Sequence, residues 1–170
     1  MFQDESRFGL TTIQRRRITN KGVKPIGAFQ MKFENYYLYG AVEPKMGNSF
    51  FLELPNLDSS CFQVFLNELS LANKDFLNLM ILDNGACHRA KKLNIPSNIK
   101  LIFLPPYSPE LNPIERLWKH IKDNIAWDTS ETLINLKDKV ANFIVSLEKK
   151  FIQSLTFFPY LKNNIYDVVH

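Results

Sequence analysis

Three carboxylates stand where a metal site is possible: Asp4, Asp83 and Glu115. Asp4 lies in a short β-type segment, in which aspartate is unfavourable and asks for a reason. Asp83 directly follows the apolar run 76–82, and ligands of open α/β sheets bind outside the carboxyl ends of strands. Two Mg²⁺ or Mn²⁺ ions about 3.5–4 Å apart need hard oxygen ligands from several elements. The three acids together therefore predict a two-metal site for phosphodiester chemistry.

Each carboxylate also has a purely structural interpretation. Asp4 could be a solvent-facing strand residue. Asp83, Asn84 and Gly85 form a favourable turn sequence. Asn112 would be the N-cap of a helix, with Pro113 as its first residue and Glu115 as its third, which is a capping-box arrangement. The residues alone leave these alternatives open.

Charge is unevenly distributed along the chain, although the net charge is only +4. Residues 6–33 contain seven basic residues and no acidic one, whereas residues 34–83 contain seven acids and two bases. Residues 84–124 are basic again, with seven bases and three acids. Basic surface around a carboxylate cluster suits the binding of a DNA backbone. The run Arg15, Arg16 and Arg17 is a candidate for such binding, and a solvated loop is its alternative.

The elements that must position these residues follow from periodicity and from chain-breaking residues. Strands are predicted at 1–10, 36–42, 49–54, 76–82 and 99–104, the last two being buried on both faces. Helices are predicted to open at Asp58 as N-cap and to span 113–125 and 131–148, with a short helical piece at 89–93. Three strands followed by helix, strand, strand and two helices predict an α/β fold, a mixed sheet with helices on its faces.

Length and composition exclude several classes of protein. A chain of 170 residues with 45% hydrophobic and 22% charged residues is expected to form one globular domain, over residues 1–170. No apolar run approaches the roughly 18 residues of a membrane span, and no signal peptide is visible. Cys61 and Cys87 form no zinc pattern. A cytoplasmic protein with reduced thiols is expected.

Three segments resemble the catalytic domain of a known family. They are QDESRFG at 3–9, LDNGACHRAK at 82–91 and the highly specific LPPYSPELNPIERLW at 104–118. Together they resemble the insertion-sequence-630 family of bacterial transposases, which are relatives of the mariner-type DDE transposases. The resemblance runs from Phe2 to about Tyr160. It implies a ribonuclease H-like fold with a mixed five-stranded sheet, its first three strands antiparallel, flanked by helices.

The resemblance also implies an activity. Asp4, Asp83 and Glu115 match the family's three catalytic and metal-binding acids, which hold Mg²⁺ or Mn²⁺, two ions in all. The implied reaction is hydrolysis at the transposon ends, followed by attack of the freed 3′-hydroxyl on target DNA at a TA dinucleotide. The implied partners are double-stranded DNA and a second copy of the chain, because synapsis of two ends requires at least a dimer. The bacterial cytoplasm, at the nucleoid, is the implied location.

Further side chains near these acids are candidates for contacts with DNA. Arg89, Lys91, Lys119 and Lys122 are candidate phosphate contacts, and a solvated face is the alternative for each. His88 follows Asp83 by five residues and either contacts DNA or is a structural histidine. Trp118 and Tyr107 are expected to be packing residues, and the prolines at 105, 106 and 109 to fix the entry of the helix that carries Glu115.

Two other functions compete with transposition. One is a nuclease on the same fold, such as a ribonuclease H or a junction resolvase, although the proline-rich segment is not expected there. The other is an inactive or truncated remnant that binds DNA and modulates transposition. The helix-turn-helix region that reads transposon ends in full-length relatives is not recognisable here. A separately encoded helix-turn-helix partner, or fusion to one by frameshifting, is therefore an expected possibility.

Overall fold

The computed structural model describes residues 1–11, 20–22, 32–106, 108–126 and 130–158. Five strands form one sheet: β1 (Phe2–Gly9), β2 (Asn35–Glu43), β3 (Asn48–Leu54), β4 (Asn78–Leu82) and β5 (Ile99–Phe103). Their spatial order is β3-β2-β1-β4-β5. The first three strands are antiparallel, and β4 is parallel to both β1 and β5. The predicted mixed five-stranded sheet is confirmed.

Helices cover both faces of this sheet. They are α1 (Ser59–Ala72), α2 (Ile114–Ile125), α3 (Leu133–Ser146) and α4 (Lys149–Thr156), with a 3₁₀ turn over Pro109–Leu111. α1 begins at the predicted N-cap, because the Asp58 carboxylate accepts from the backbone N–H groups of Ser60 and Cys61. Its apolar side packs on one face of the sheet, whereas α2, α3 and α4 build a second hydrophobic core on the other. No helix of the described part is long and apolar enough to cross a bilayer.

The helix predicted at 131–148 is confirmed as α3, although its bounds are wrong by two residues at each end, and α4 after it was not predicted. α3 begins after Thr132, whose hydroxyl accepts from the N–H of Asn135, and it ends at Ser146. Leu147 is extended, with φ −75° and ψ 117°, so the chain changes direction before α4 begins. The short helical piece predicted at 89–93 is also wrong, because the backbone there forms only isolated turns.

The prediction that β4 and β5 are buried on both faces is wrong as well. Met80 and Leu82 of β4 are buried under α1, but Leu79 and Ile102 on the opposite face are each 45% exposed. The described helices of that face pack chiefly against β1, β2 and β3 and leave the β4–β5 edge open. An apolar run thus gave the right strand but overestimated its burial.

Gly40 makes room for a tryptophan at the centre of the second core. It lies opposite Asp4 in the β1–β2 register, and a Cβ atom at this position would lie 2.6 Å from the Trp118 ring. Trp118 is 2% exposed and packs edge-on against Phe8 and Phe51. Because Gly40 has no side chain, the indole can approach the sheet closely beside Asp4.

We expect Gly40→Ala to lower the free energy of unfolding by about 1–3 kcal/mol, the usual cost of overpacking a filled core. The measurement is urea denaturation followed by far-UV circular dichroism. Trp118→Phe removes the ring atoms that clash, so the double variant should be more stable than the sum of the two single losses predicts. Strict additivity of the two losses would show that Gly40 does not serve to accommodate Trp118.

Candidate active site

The three predicted carboxylates line a single cleft of about 420 Å³. Strand register explains why Asp4 and Asp83 meet. Phe2 of β1 pairs with Ile81 of β4 in parallel, and the two aspartates each stand two residues further along these strands. α2 brings Glu115 to the same edge of the sheet. The rest of the cleft is formed by Asn84, Gly85, Leu104, Pro105, Pro106, Ser108, Pro109 and Asn112.

Asp83 is held in a defined orientation although 62% of its side chain is exposed. Its Oδ1 atom accepts two hydrogen bonds, each 2.8 Å long, from the backbone N–H of Gly85 and from Nδ1 of His88. The bond from Gly85 closes an Asx turn over residues 83–85, whereas the backbone turn begins only at residue 86. The Asx turn fixes the carboxylate at the end of β4 and leaves Oδ2 outside these two hydrogen bonds.

Asp4 is more deeply placed, and its charged form is disfavoured. Burial, then the negative charges of Glu115 and Glu5, raise the pKa of Asp4 to about 8. The indole Nε1 of Trp118 donates to Oδ2 of Asp4 at 2.9 Å, which favours the carboxylate but does not offset these effects. Trp118 is buried, as expected, but it also orients a candidate metal ligand.

Glu115 lies in the first turn of α2 and is exposed to the cleft. Burial raises its pKa; the Lys122 charge acts in the opposite direction, and the Asp83 charge acts in the same one. The predicted capping box is wrong, because Pro113 is the N-cap and no side chain caps α2. Instead, Nδ2 of Asn112 donates to the Gln3 carbonyl of β1 at 2.9 Å. Asn112 thus ties the start of the Glu115 helix to the strand that carries Asp4.

The donor set of the cleft fits Mg²⁺ or Mn²⁺. Three carboxylates supply hard oxygen ligands from three different elements, as such ions require. Burial is the largest cause of the raised pKa values of both Asp4 and Glu115, and repulsion from neighbouring carboxylates adds to it. A divalent cation between these carboxylates would relieve that repulsion. Asp4, Asp83 and Glu115 are the residues that would hold it.

His88 is buried behind the cleft and is only 3% exposed. Its Nε2 atom lies 2.9 Å from Oε1 of Glu5, on the opposite side of the ring from Asp83. Desolvation lowers its pKa, but hydrogen bonds to Cys87 and Glu5 and the Glu5 charge outweigh it and raise the pKa of His88 to about 11. Since both ring nitrogens are engaged, a direct contact of His88 with DNA does not fit, and the structural alternative does.

The cationic candidates differ in their surroundings. Arg89 bonds to Asn84 Oδ1 and lies over the Phe103 ring at 4.8 Å, whereas Lys91 is exposed. On α2, Lys119 is 73% exposed and pairs with Asp123, and the Nζ of Lys122 lies 5.6 Å from the centre of the Phe8 ring. Arg15, Arg16, Arg17 and Tyr107 lie outside the described residues.

Glu5 had no role predicted from the sequence, and the capping role predicted for Asn112 is wrong. A glutamate inside a strand, next to Asp4 but on the other face, was the available signal for Glu5. Its side chain is only 7% exposed. The ligand atoms of Glu5, Cys87 and His88 lie within 4.8 Å of one another.

Comparison with known proteins agrees with this fold. The family model described as DDE superfamily endonuclease matches residues 1–137. In the Mos1 strand transfer complex, the transposase chain matches with a TM-score of 0.67 at 14% identity, over 92% of this chain and 50% of that one. The Mos1 mariner paired end complex with Mn matches with a TM-score of 0.68 at 13% identity.

The predicted ribonuclease H-like fold, a mixed five-stranded sheet flanked by helices, is thus confirmed by its likeness to the fold of Mos1 transposase. The chain belongs to the DDE superfamily endonuclease family. It is 27% identical over 117 residues to the insertion element IS630 uncharacterized 39 kDa protein of Shigella sonnei, which confirms the predicted resemblance. It is also 43% identical over 89 residues to an uncharacterized protein of Sinorhizobium fredii. The chain spans 34% and 66% of these two relatives, respectively, and about half of the Mos1 transposase chain.

We expect Asp4→Asn to stabilise the metal-free protein at neutral pH. The Asp4 carboxyl must take up a proton on folding, whereas an amide is neutral in both states and its oxygen can still accept from Trp118. A group whose pKa rises on folding contributes stability that is lost as the pH rises from its unfolded value of 3.8 towards about 8. The melting temperature of the variant should therefore exceed that of the wild type by about 2–4 °C at pH 7.5, and by less as the pH falls to 4.

The measurement is differential scanning fluorimetry in EDTA between pH 4 and 8. Asp75→Asn, at an exposed position, is the matched control and should show no such trend. If the melting temperature of Asp4→Asn exceeds that of the wild type by the same amount at every pH, the raised pKa of Asp4 is contradicted.

Proposed function

We propose that this chain is the catalytic domain of a transposase, which cleaves and transfers DNA strands with divalent metal ions. The observation that carries the proposal is the cleft in which β1, β4 and α2 bring Asp4, Asp83 and Glu115 together. The match to the DDE superfamily endonuclease model over residues 1–137 supports it. So does the likeness in fold to Mos1 transposase in complexes with transposon ends.

The residues of the cleft would divide the work as follows. Asp4, Asp83 and Glu115 hold one or two Mg²⁺ or Mn²⁺ ions. Bound ions supply the activation of water or of a 3′-hydroxyl and stabilise the leaving oxygen. Trp118 and the 83–85 turn fix the orientations of the two aspartates, and Asn112 fixes α2. Pre-set orientation matters, because catalysis of phosphoryl transfer depends mainly on positioning and electrostatic stabilisation.

Double-stranded DNA is the substrate that we propose, with transposon ends as donor and a TA site as target. Arg89, Lys91, Lys119 and Lys122 provide positive charge on elements adjoining the cleft. Recognition of the transposon ends is proposed to require a helix-turn-helix region, fused by frameshifting or encoded separately. Synapsis would then bring two copies of the chain together.

The proposal is tested with purified protein and three labelled substrates: duplexes bearing the terminal repeats of the element, unrelated duplexes, and RNA–DNA hybrid. With Mg²⁺ or Mn²⁺, we expect nicking and strand joining of DNA. Asp83→Asn and Glu115→Gln should each lower the rate by more than about 100-fold, since loss of a metal ligand exceeds the usual cost of losing its hydrogen-bond partners. Asp75→Asn, at an exposed position outside the cleft lining, is the control.

The substrates separate the competing functions. Cleavage of the hybrid alone would favour a ribonuclease H-like nuclease. Metal-independent binding of DNA without cleavage by the wild type would favour a remnant that modulates transposition. Equal cleavage by the wild type and Asp83→Asn would exclude the cleft as the catalytic site.

A further inference from the structure

A row of three hydrogen-bonded side chains runs to the cleft from the face of β1 that lies opposite Asp4. It begins at Glu5, whose side chain is 7% exposed, passes through His88, which is 2% exposed in its side chain, and ends at Asp83, which is 62% exposed. The two contacts of the imidazole are 2.9 Å to Glu5 and 2.8 Å to Asp83. His88 therefore joins the buried carboxylate of Glu5 to the solvent-exposed carboxylate of Asp83 in the cleft.

The Glu5 end of this row is well fixed. Oε1 of Glu5 also accepts from the amide of Gln3 at 2.8 Å. The imidazole packs on the ring of Phe62 of α1, with a centroid distance of 4.5 Å. These contacts hold the plane of the imidazole, and so they fix where its Nδ1 atom meets Asp83.

The backbone beside Asp83 is shaped to allow this contact. A Cβ atom on Gly85 would lie 3.0 Å from Oδ1 of Asp83 and 3.1 Å from Nδ1 of His88. Both distances are tighter than ordinary van der Waals contact, so any side chain at this position would press on both ends of the same hydrogen bond. A glycine here lets the turn and the imidazole converge on a single carboxylate oxygen.

We propose that Glu5 and His88 are positioning residues that hold Asp83 so that its Oδ2 atom is the oxygen presented to a divalent metal ion. Oδ1 already accepts from Gly85 and His88, so a metal ion would bind mainly through the other oxygen. An exposed aspartate would otherwise rotate freely and lose conformational entropy on binding. This inference rests on the proposed function, in which Asp83 is a metal ligand.

Two substitutions of His88 separate positioning from mere packing. The amide nitrogen of asparagine can take the place of Nδ1, whereas that of glutamine can take the place of Nε2. His88→Asn thus retains a donor for Asp83 and loses the Glu5 contact, and His88→Gln does the reverse. Both lose the ring that packs on Phe62, so a similar fall in melting temperature is expected for the two.

The experiment is titration of the metal-free full chain with Mn²⁺, with the free ion measured by electron paramagnetic resonance. We expect His88→Gln to weaken Mn²⁺ binding by about 10-fold or more, in the range found when hydrogen-bond partners of metal ligands are removed. His88→Asn should weaken binding measurably but less than His88→Gln does, because it keeps the donor to Asp83 and loses the support from Glu5. Gly85→Ala should also weaken Mn²⁺ binding, although it alters none of the three side chains Glu5, His88 and Asp83.

The outcomes distinguish this inference from the proposed function. If Asp83→Asn weakens Mn²⁺ binding but His88→Gln binds as the wild type does, Asp83 is a ligand and the positioning role is wrong. Equal weakening in both His88 variants, in proportion to their melting temperatures, would likewise reduce His88 to a packing residue. If the wild type and Asp83→Asn bind Mn²⁺ equally, or not at all, the proposed function fails and this inference fails with it.

Discussion

The hydrogen bond from the Trp118 indole to Asp4 joins the two parts of the molecule on which the cleft depends. One part is the sheet, whose parallel β1–β4 pairing places Asp4 beside Asp83. The other is α2, which carries Glu115 three residues before Trp118. Because α2 bonds directly to Asp4, a shift of this helix would move Asp4 and Glu115 together. Gly40 permits the close approach, and the Asn112 bond to the Gln3 carbonyl is a second tie between the same two elements.

This arrangement keeps three acids together against their mutual repulsion. The pKa of Asp4 is raised to about 8 and that of Glu115 is also raised, and in both cases burial is the largest cause. Such a site is costly for the metal-free protein, and its cost is relieved by a cation. Under the proposed function, stability is thus lost locally in favour of three carboxylates that would bind metal, as is common where charged groups are gathered for catalysis.

Much of this could be predicted from the sequence. The apolar runs and breakers gave all five strands, and the resemblance in three segments gave both the fold and the three acids. The predictions that failed concerned features that depend on tertiary contacts. Asn112 had the right sequence for a cap, but its amide bonds to a strand more than one hundred residues away. The exposed face of β4 and β5 could not be foreseen, because an apolar run does not tell which helices will cover it. Glu5 and His88 are 83 residues apart, and no local pattern links them.

Diffraction from crystals soaked in Mn²⁺, measured at a wavelength where manganese scatters anomalously, tests the central claim most directly. The claim is that Asp4, Asp83 and Glu115 together form a divalent metal site. It predicts one or two anomalous peaks within about 2.5 Å of carboxylate oxygens of these three residues, with Asp83 bound through Oδ2. A cleft without a peak at saturating Mn²⁺, or a peak only at the Glu5, Cys87 and His88 cluster, would contradict it.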